Sequence, residues 1–150
     1  MGFQVAYVPI GVGTFHLESA QIEFEKSIKL LSSLTEEGVY PEKMLLTLGD
    51  LQQFLDGIQP DLIVLQNITF ANAAYASEVL KKFSCPIVLW TLREPVIDGG
   101  RLLLNSLTGA SPQPMPSRHS VRTVSLSTSS VLRRKRRLLL RLELPSVRPR

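Results

Sequence analysis

The sequence predicts an α/β protein: an open parallel sheet of about four strands with helices on both faces, followed by an irregular basic C-terminal tail. Three observations predict it. Two continuous aliphatic runs, Leu62-Ile63-Val64-Leu65 and Ile87-Val88-Leu89-Trp90, lack the alternation of a half-exposed strand and read as strands buried on both faces. One stretch of helical pattern joins them, as a parallel crossover requires. Charge also divides the chain. Residues 1–110 hold seven Lys/Arg against twelve Asp/Glu, a net of −5, and residues 111–150 hold ten against one, a net of +9. The overall +4 therefore describes neither part, and a domain-wide nucleic-acid reading loses its support.

In chain order, Phe3 to Pro9 is a short β-rich run and the first strand, and Ile10-Gly11-Val12-Gly13-Thr14 is the turn after it. From Glu18 to Leu34 the apolar residues Ala20, Ile22, Phe24, Ile28, Leu30, Leu31 and Leu34 alternate with Glu and Lys, which predicts an amphipathic helix ended by Gly38. Val39-Tyr40-Pro41 predicts a short strand at an edge, because Pro donates nothing to a central ladder. Thr47 offers an N-cap to a helix running to about Leu55, and Gly57 and Pro60 close that unit. The strand Leu62–Leu65, a helix from about Asn72 to Phe83 and the strand Ile87–Trp90 complete the regular part. With right-handed crossovers this order gives a flavodoxin/Rossmann-like sheet, strand order 2-1-3-4.

At 150 residues the chain has room for one domain with a real core, and its 44% hydrophobic and 20% charged residues describe a soluble protein. No apolar run approaches the roughly 20 residues that span a bilayer. No signal-peptide pattern opens the chain and Cys85 is its single cysteine, so a cytoplasmic location without disulfides is expected. Cys85, just before a buried strand, reads as a packed thiol rather than a nucleophile.

Binding sites in such sheets lie beyond the carboxyl ends of the strands, here Gln66-Asn67-Ile68-Thr69 and Thr91 to Pro95. Gly11-Val12-Gly13 starts a dinucleotide fingerprint, but its third glycine would fall on His16, and no P-loop pattern exists. That turn reads either as a strand-to-helix connection with Thr14 or His16 near the helix start, or as a ligand-contacting loop. Gln66 and Asn67 read either as crevice residues or as partners of local backbone. No metal-ligand cluster and no nucleophile–base constellation emerges from spacing. Residues 93–109 are the densest in chemistry, with Arg93-Glu94, Asp98-Gly99-Gly100-Arg101 and Asn105-Ser106. They read as a site or as a salt-bridged connection.

In this segment Leu89-Trp90, Glu94-Pro95, Gly99-Gly100-Arg101-Leu102, Asn105-Ser106-Leu107 and Gly109 follow one another in a pattern that resembles the L-fucose/L-arabinose isomerase-like family. The Gly11-to-Phe15 turn and the run Ile63 to Phe70 resemble it too, so the likeness covers about residues 1–110. Related sequences tend to carry Arg and Asp where this chain has Val12 and His16. The resemblance implies the N-terminal α/β domain of a divalent-metal-dependent aldose–ketose isomerase of carbohydrate metabolism, with Mn2+ the usual cation. Isomerisation runs through an ene-diol, the metal polarising substrate oxygens while carboxylates move protons. In the family the metal ligands come from domains beyond the first hundred residues. Trp90, Glu94, Arg101 and Asn105 are then candidate substrate-contacting wall residues, with no catalytic residue and no metal ligand in this chain. The expected partners are the sugar substrate and, for a full-length parent, identical subunits. Neither a specific nucleic acid nor a membrane is expected.

Residues 111–150 contain no Phe, Tyr, Trp or Asp and carry the run Arg133-Arg134-Lys135-Arg136-Arg137. They read as a nucleic-acid arm, as a basic amphipathic helix, or as a frameshifted translation. With the codons CGG AGG AAG AGG AGA for that run, reading from the third base gives Glu-Glu-Glu-Glu, the text of an ordinary acidic protein. On the last reading the chain is a truncated isomerase domain, inactive alone, with a tail of low order. The alternative for the whole is a non-catalytic flavodoxin-like module that binds a small polar ligand or a partner.

Overall fold

The computed structural model describes residues 2–108 and the backbone of 121–125. Four strands alternate with three helices: β1 Val5–Ile10, α1 Leu17–Ser32, β2 Gly38–Val39, α2 Leu48–Asp56, β3 Leu62–Asn67, α3 Ala73–Lys82 and β4 Ile87–Thr91. β5, Val121–Ser125, follows. All pairings are parallel and the order is β2-β1-β3-β4-β5. The α/β class and the 2-1-3-4 order hold, with the two-residue β2 at the edge ahead of Pro41. One strand more than the four expected is present, in the stretch read as an irregular tail. The other readings of 111–150, as a basic arm, a membrane helix or a frameshifted tail, fall otherwise outside the described residues.

The helix starts follow from their caps. His16, Thr47 and Asn72 each stand in extended backbone and accept a backbone N–H of the first turn on their side chains, from Ser19, Asp50 and Ala74. α1 ends earlier than Gly38. Ser33 caps it, its N–H directed to the carbonyls of Leu30 and Leu31 and its hydroxyl 2.7 Å from Leu30 O. Gly38 instead sits in β2, where an added Cβ would meet the Tyr40 ring and hydroxyl.

Strand alternation sends one set of side chains to each face of the sheet. Ala6, Val8, Ile63, Leu65, Ile87 and Leu89 pack against α2 and α3, through Leu51, Leu55, Tyr75 and Val79. Tyr7, Val64 and Trp90 pack on the other face against Ala20, Phe24, Leu30 and Leu31 of α1. Ile22, expected on the apolar stripe, is 52% exposed because it lies about half a turn from both Ala20 and Phe24. Cys85 packs against the first cluster, and burial pushes its thiol up, as an inert cysteine requires.

The α1 face holds a buried polar string. The Tyr7 hydroxyl donates to Gln66 Oε1, Gln66 Nε2 to Ser27 Oγ at 3.0 Å, and Ser27 Oγ to Glu23 O at 2.7 Å. Tyr7, Ser27 and Gln66 are all fully buried. Gln66 therefore ties the sheet to α1 and does not line a crevice. Tyr7→Phe leaves a buried amide oxygen without its donor and is expected to cost about 1–3 kcal/mol in urea unfolding. Burial, opposed by the Ser27 hydroxyl, raises the Tyr7 phenol far above its ordinary 10.0. The neutral phenol is thus the folded form, so its contribution is complete below pH 10.0 and is lost as pH climbs above it. The Tyr7→Phe variant should have a shallower alkaline slope, the remainder coming from Tyr40 and Tyr75, whose phenols burial also raises, and an unchanged slope would show that Tyr7 is not a source of it.

Candidate functional site

The carboxyl edge of the sheet is built from three loops, after β1, β3 and β4, and the chain draws them together. Gly11 ends β1 against the β3 loop. An added Cβ there would lie 2.3 Å from Thr69 Oγ1 and 3.2 Å from Thr69 N, so only glycine permits this approach. The buried Thr69 hydroxyl uses the space fully: it accepts the Val12 N–H at 2.8 Å and donates to the Val12 carbonyl at 3.1 Å. Ile68 N–H adds a backbone bond to Ile10 O at 2.9 Å. The loops that flank the β1/β3 switch point are thus clamped at three points.

The segment after β4 folds back over this edge. Glu94 aims its carboxylate at three successive backbone N–H groups, bonding Leu103 at 2.9 Å, Leu104 at 3.2 and 3.3 Å, and Asn105. The turn so formed needs a left-handed residue, and Asn105 supplies it at φ 52°. The turn drives Leu104 into the α1-side core and Ser106 between two strand ends. The Ser106 hydroxyl accepts the Leu92 N–H at 2.8 Å and donates to the Asn67 carbonyl. Backbone bonds of 3.0 Å from His16 N to Leu103 O and 2.9 Å from Phe70 N to Leu104 O join this loop to the other two. The space beyond the strand ends is therefore filled by the chain's own Leu104 and Ser106, both buried.

What stays open is the rim. Phe15 and Phe70, half-buried and 6.4 Å apart, present tilted rings, and the Arg101 guanidinium lies 5.9 Å over the Phe15 ring while donating to Thr14 O at 3.2 Å. Exposed His16 and Thr14 border them. Such a rim offers apolar ring faces beside a cation and a hydroxyl.

The four sequence-chosen residues fall in different places. Trp90 is 5% exposed and packs in the α1-side core. Glu94 and Asn105 meet through the Asn105 N–H, and the Asn105 amide oxygen accepts the Thr108 hydroxyl at 2.6 Å. Arg101 alone reaches the rim. Sequence reasoning places Thr69 at a strand end but does not single out Phe15 or Phe70, and it cannot see the pairs Phe15 with Phe70 and Thr69 with Val12, because each pair is more than fifty residues apart and leaves no local spacing to read.

The described residues do not fit the cation that the resemblance implies. No three His, Cys, Asp or Glu groups among them are placed to hold a metal. Glu94 and Asp98 both direct carboxylate oxygens to backbone N–H groups, Asp98 to Gly100 at 2.9 Å. No described helix is long and apolar enough to cross a membrane.

No family model matches the chain. Individual proteins do. Over 108 residues, 72% of this chain, it is 69% identical to a sulfoquinovose isomerase of Clostridium sp. (strain MSTE9), covering 24% of that protein. It is 40% identical over 110 residues to a sulfoquinovose isomerase of Priestia aryabhattai and 37% identical over 109 residues to one of Alkalicoccus urumqiensis, again covering 24% of each. The chain thus spans about a quarter of the length of the relatives it matches.

Proposed function

We propose that this chain, which matches about a quarter of the length of sulfoquinovose isomerases, is the N-terminal domain of an aldose–ketose isomerase of the L-fucose/L-arabinose isomerase-like family acting on sulfoquinovose. The observation that carries the reading is the 69% identity over 108 residues to a protein of that name. The same identity favours it over a stand-alone small-ligand module. In this reading the rim of Thr14, Phe15, Phe70 and Arg101 is one wall of the substrate site. The carboxylates that move protons, and the ligands of the divalent cation expected for the full-length family, lie outside the described residues. The described carboxylates at this edge hold the loop in shape, which is positioning and not proton transfer. The chain alone is inactive in this reading. The parent works in the cytoplasm as a homo-oligomer.

The test is a chimera in which residues 1–108 replace the matched stretch of the Clostridium relative. It is expected to interconvert sulfoquinovose and its ketose with most of the parent's kcat/KM, while this chain alone, supplied with Mn2+ and sulfoquinovose, L-fucose or L-arabinose, shows no turnover. A folded but inactive chimera, or turnover by the isolated chain, would overturn the assignment.

A further inference from the structure

We propose that Val96, Ile97, Leu102 and Leu107, with neighbouring Leu17, form a docking surface for the three quarters of an isomerase chain that lie beyond the matched stretch; this rests on the proposed function above. Eight large apolar side chains are exposed among the described residues, and five of them are these. Four fall within residues 96–107, at 53, 83, 42 and 63% exposure. Leu17, at 42%, joins them because the preceding His16 bonds Leu103. Exposed apolar residues are ordinarily scattered singly, and a cluster at one end of a fold marks an interaction surface.

At Leu102 and Leu107 the loop is held by its own bonds. Glu94 fixes the backbone at 103–105, Ser106 pins it to β3 and β4, and Leu104 anchors it in the core. Leu102 and Leu107 are held outward by the same turn that sends Leu104 inward. A surface that is already rigid loses little entropy on docking. Exposed Arg93, Asp98 and Arg101 supply polar groups around it, as at the margin of an interface. The occupant follows from chain length. The relatives carry about three quarters of their sequence outside a match that covers only 24% of each. Thr108, next to exposed Leu107, closes the described stretch 2–108.

The test co-expresses the full 150-residue chain, tagged, with the Clostridium relative lacking its matched N-terminal quarter. The remainder should co-purify in soluble form. Ile97→Asp with Leu107→Asp should reduce its recovery at least about tenfold and leave the chain's own melting midpoint unchanged, since both side chains face solvent. Failure to recover the remainder with the unsubstituted chain, or equal recovery with the double variant, overturns the inference. So does a dimer of this chain that Ile97→Asp breaks, which would assign the surface to a second copy. The two readings separate cleanly. Surface-dependent association without sulfoquinovose turnover sinks the functional assignment alone, and turnover with association indifferent to the surface sinks the docking inference alone.

Discussion

Gly11→Ala is expected to destabilise the domain by about 2–4 kcal/mol, a fall in melting midpoint of roughly 10–20 °C. The cause is one methyl group. Its carbon would stand 2.3 Å from Thr69 Oγ1, with Thr69 N at 3.2 Å and Thr69 Cβ at 3.3 Å. The hydroxyl cannot turn aside at low cost, because Thr69 is fully buried, β-branched and bonded at once to the Val12 N–H and carbonyl. Either the loops part and both bonds go, or Thr69 leaves its rotamer. A double-mutant cycle discriminates this from a generic glycine effect. Thr69→Ala removes the atom at 2.3 Å and leaves contacts of 3.2 and 3.3 Å that a few tenths of an ångström relieve. Gly11→Ala in that background should therefore cost under about 1.5 kcal/mol. Strictly additive costs would show that the close approach is not what makes Gly11 necessary.

That contact also shows where sequence reading stops. The unbroken aliphatic runs of β3 and β4, the caps Thr47 and Asn72 and the Pro beside β2 are each legible, because each signal is carried by residues adjacent in the chain. The end of α1 is misread for a related reason. Gly38 looks like a helix terminator, but Ser33 already closes the helix with its own N–H and hydroxyl, and a serine in that role resembles any other surface serine. The densest polar stretch, 93–106, does hold the structure of this edge, yet its composition does not say which way its groups point. Glu94, Asn105 and Ser106 look like ligand contacts by residue type, and only their geometry turns them inward to the loop's own backbone. Gln66 illustrates the same limit from within a strand. Its place at a strand end suggests a crevice, and the pleat sends it toward α1 and Ser27 instead.

The crevice expected at the strand ends is accordingly not an opening but a packed seam with a rim. A seam of this kind costs conformational freedom, and it is worth forming where a second body must meet a defined shape. The closed loop, the outward Leu102 and Leu107, and the Arg101 that steadies Phe15 by donating to Thr14 act together. They convert three connections, each mobile in isolation, into one rigid edge.

The key to that edge is Glu94, and Glu94→Ala is expected to be the second large effect. Three neighbouring N–H groups lose a shared charged acceptor, and water replaces it only in part because the carboxylate is half-buried. A loss of about 1.5–3 kcal/mol follows, from charge-assisted bonds discounted for solvent access. Stability alone does not separate a clasp from an ordinary structural residue, so the readout is local. Amide exchange at Leu103, Leu104 and Asn105 should accelerate far more than at Val64 or Val8 in the central strands, since the loop can open without the sheet. Glu94→Gln should fall between the two, keeping one carbonyl oxygen as acceptor but presenting an amide N–H₂ to groups that already donate. If exchange at 103–105 is unchanged in Glu94→Ala while the fold stays intact, the carboxylate is free for a ligand, and Glu94 returns to the substrate wall where its sequence context first places it.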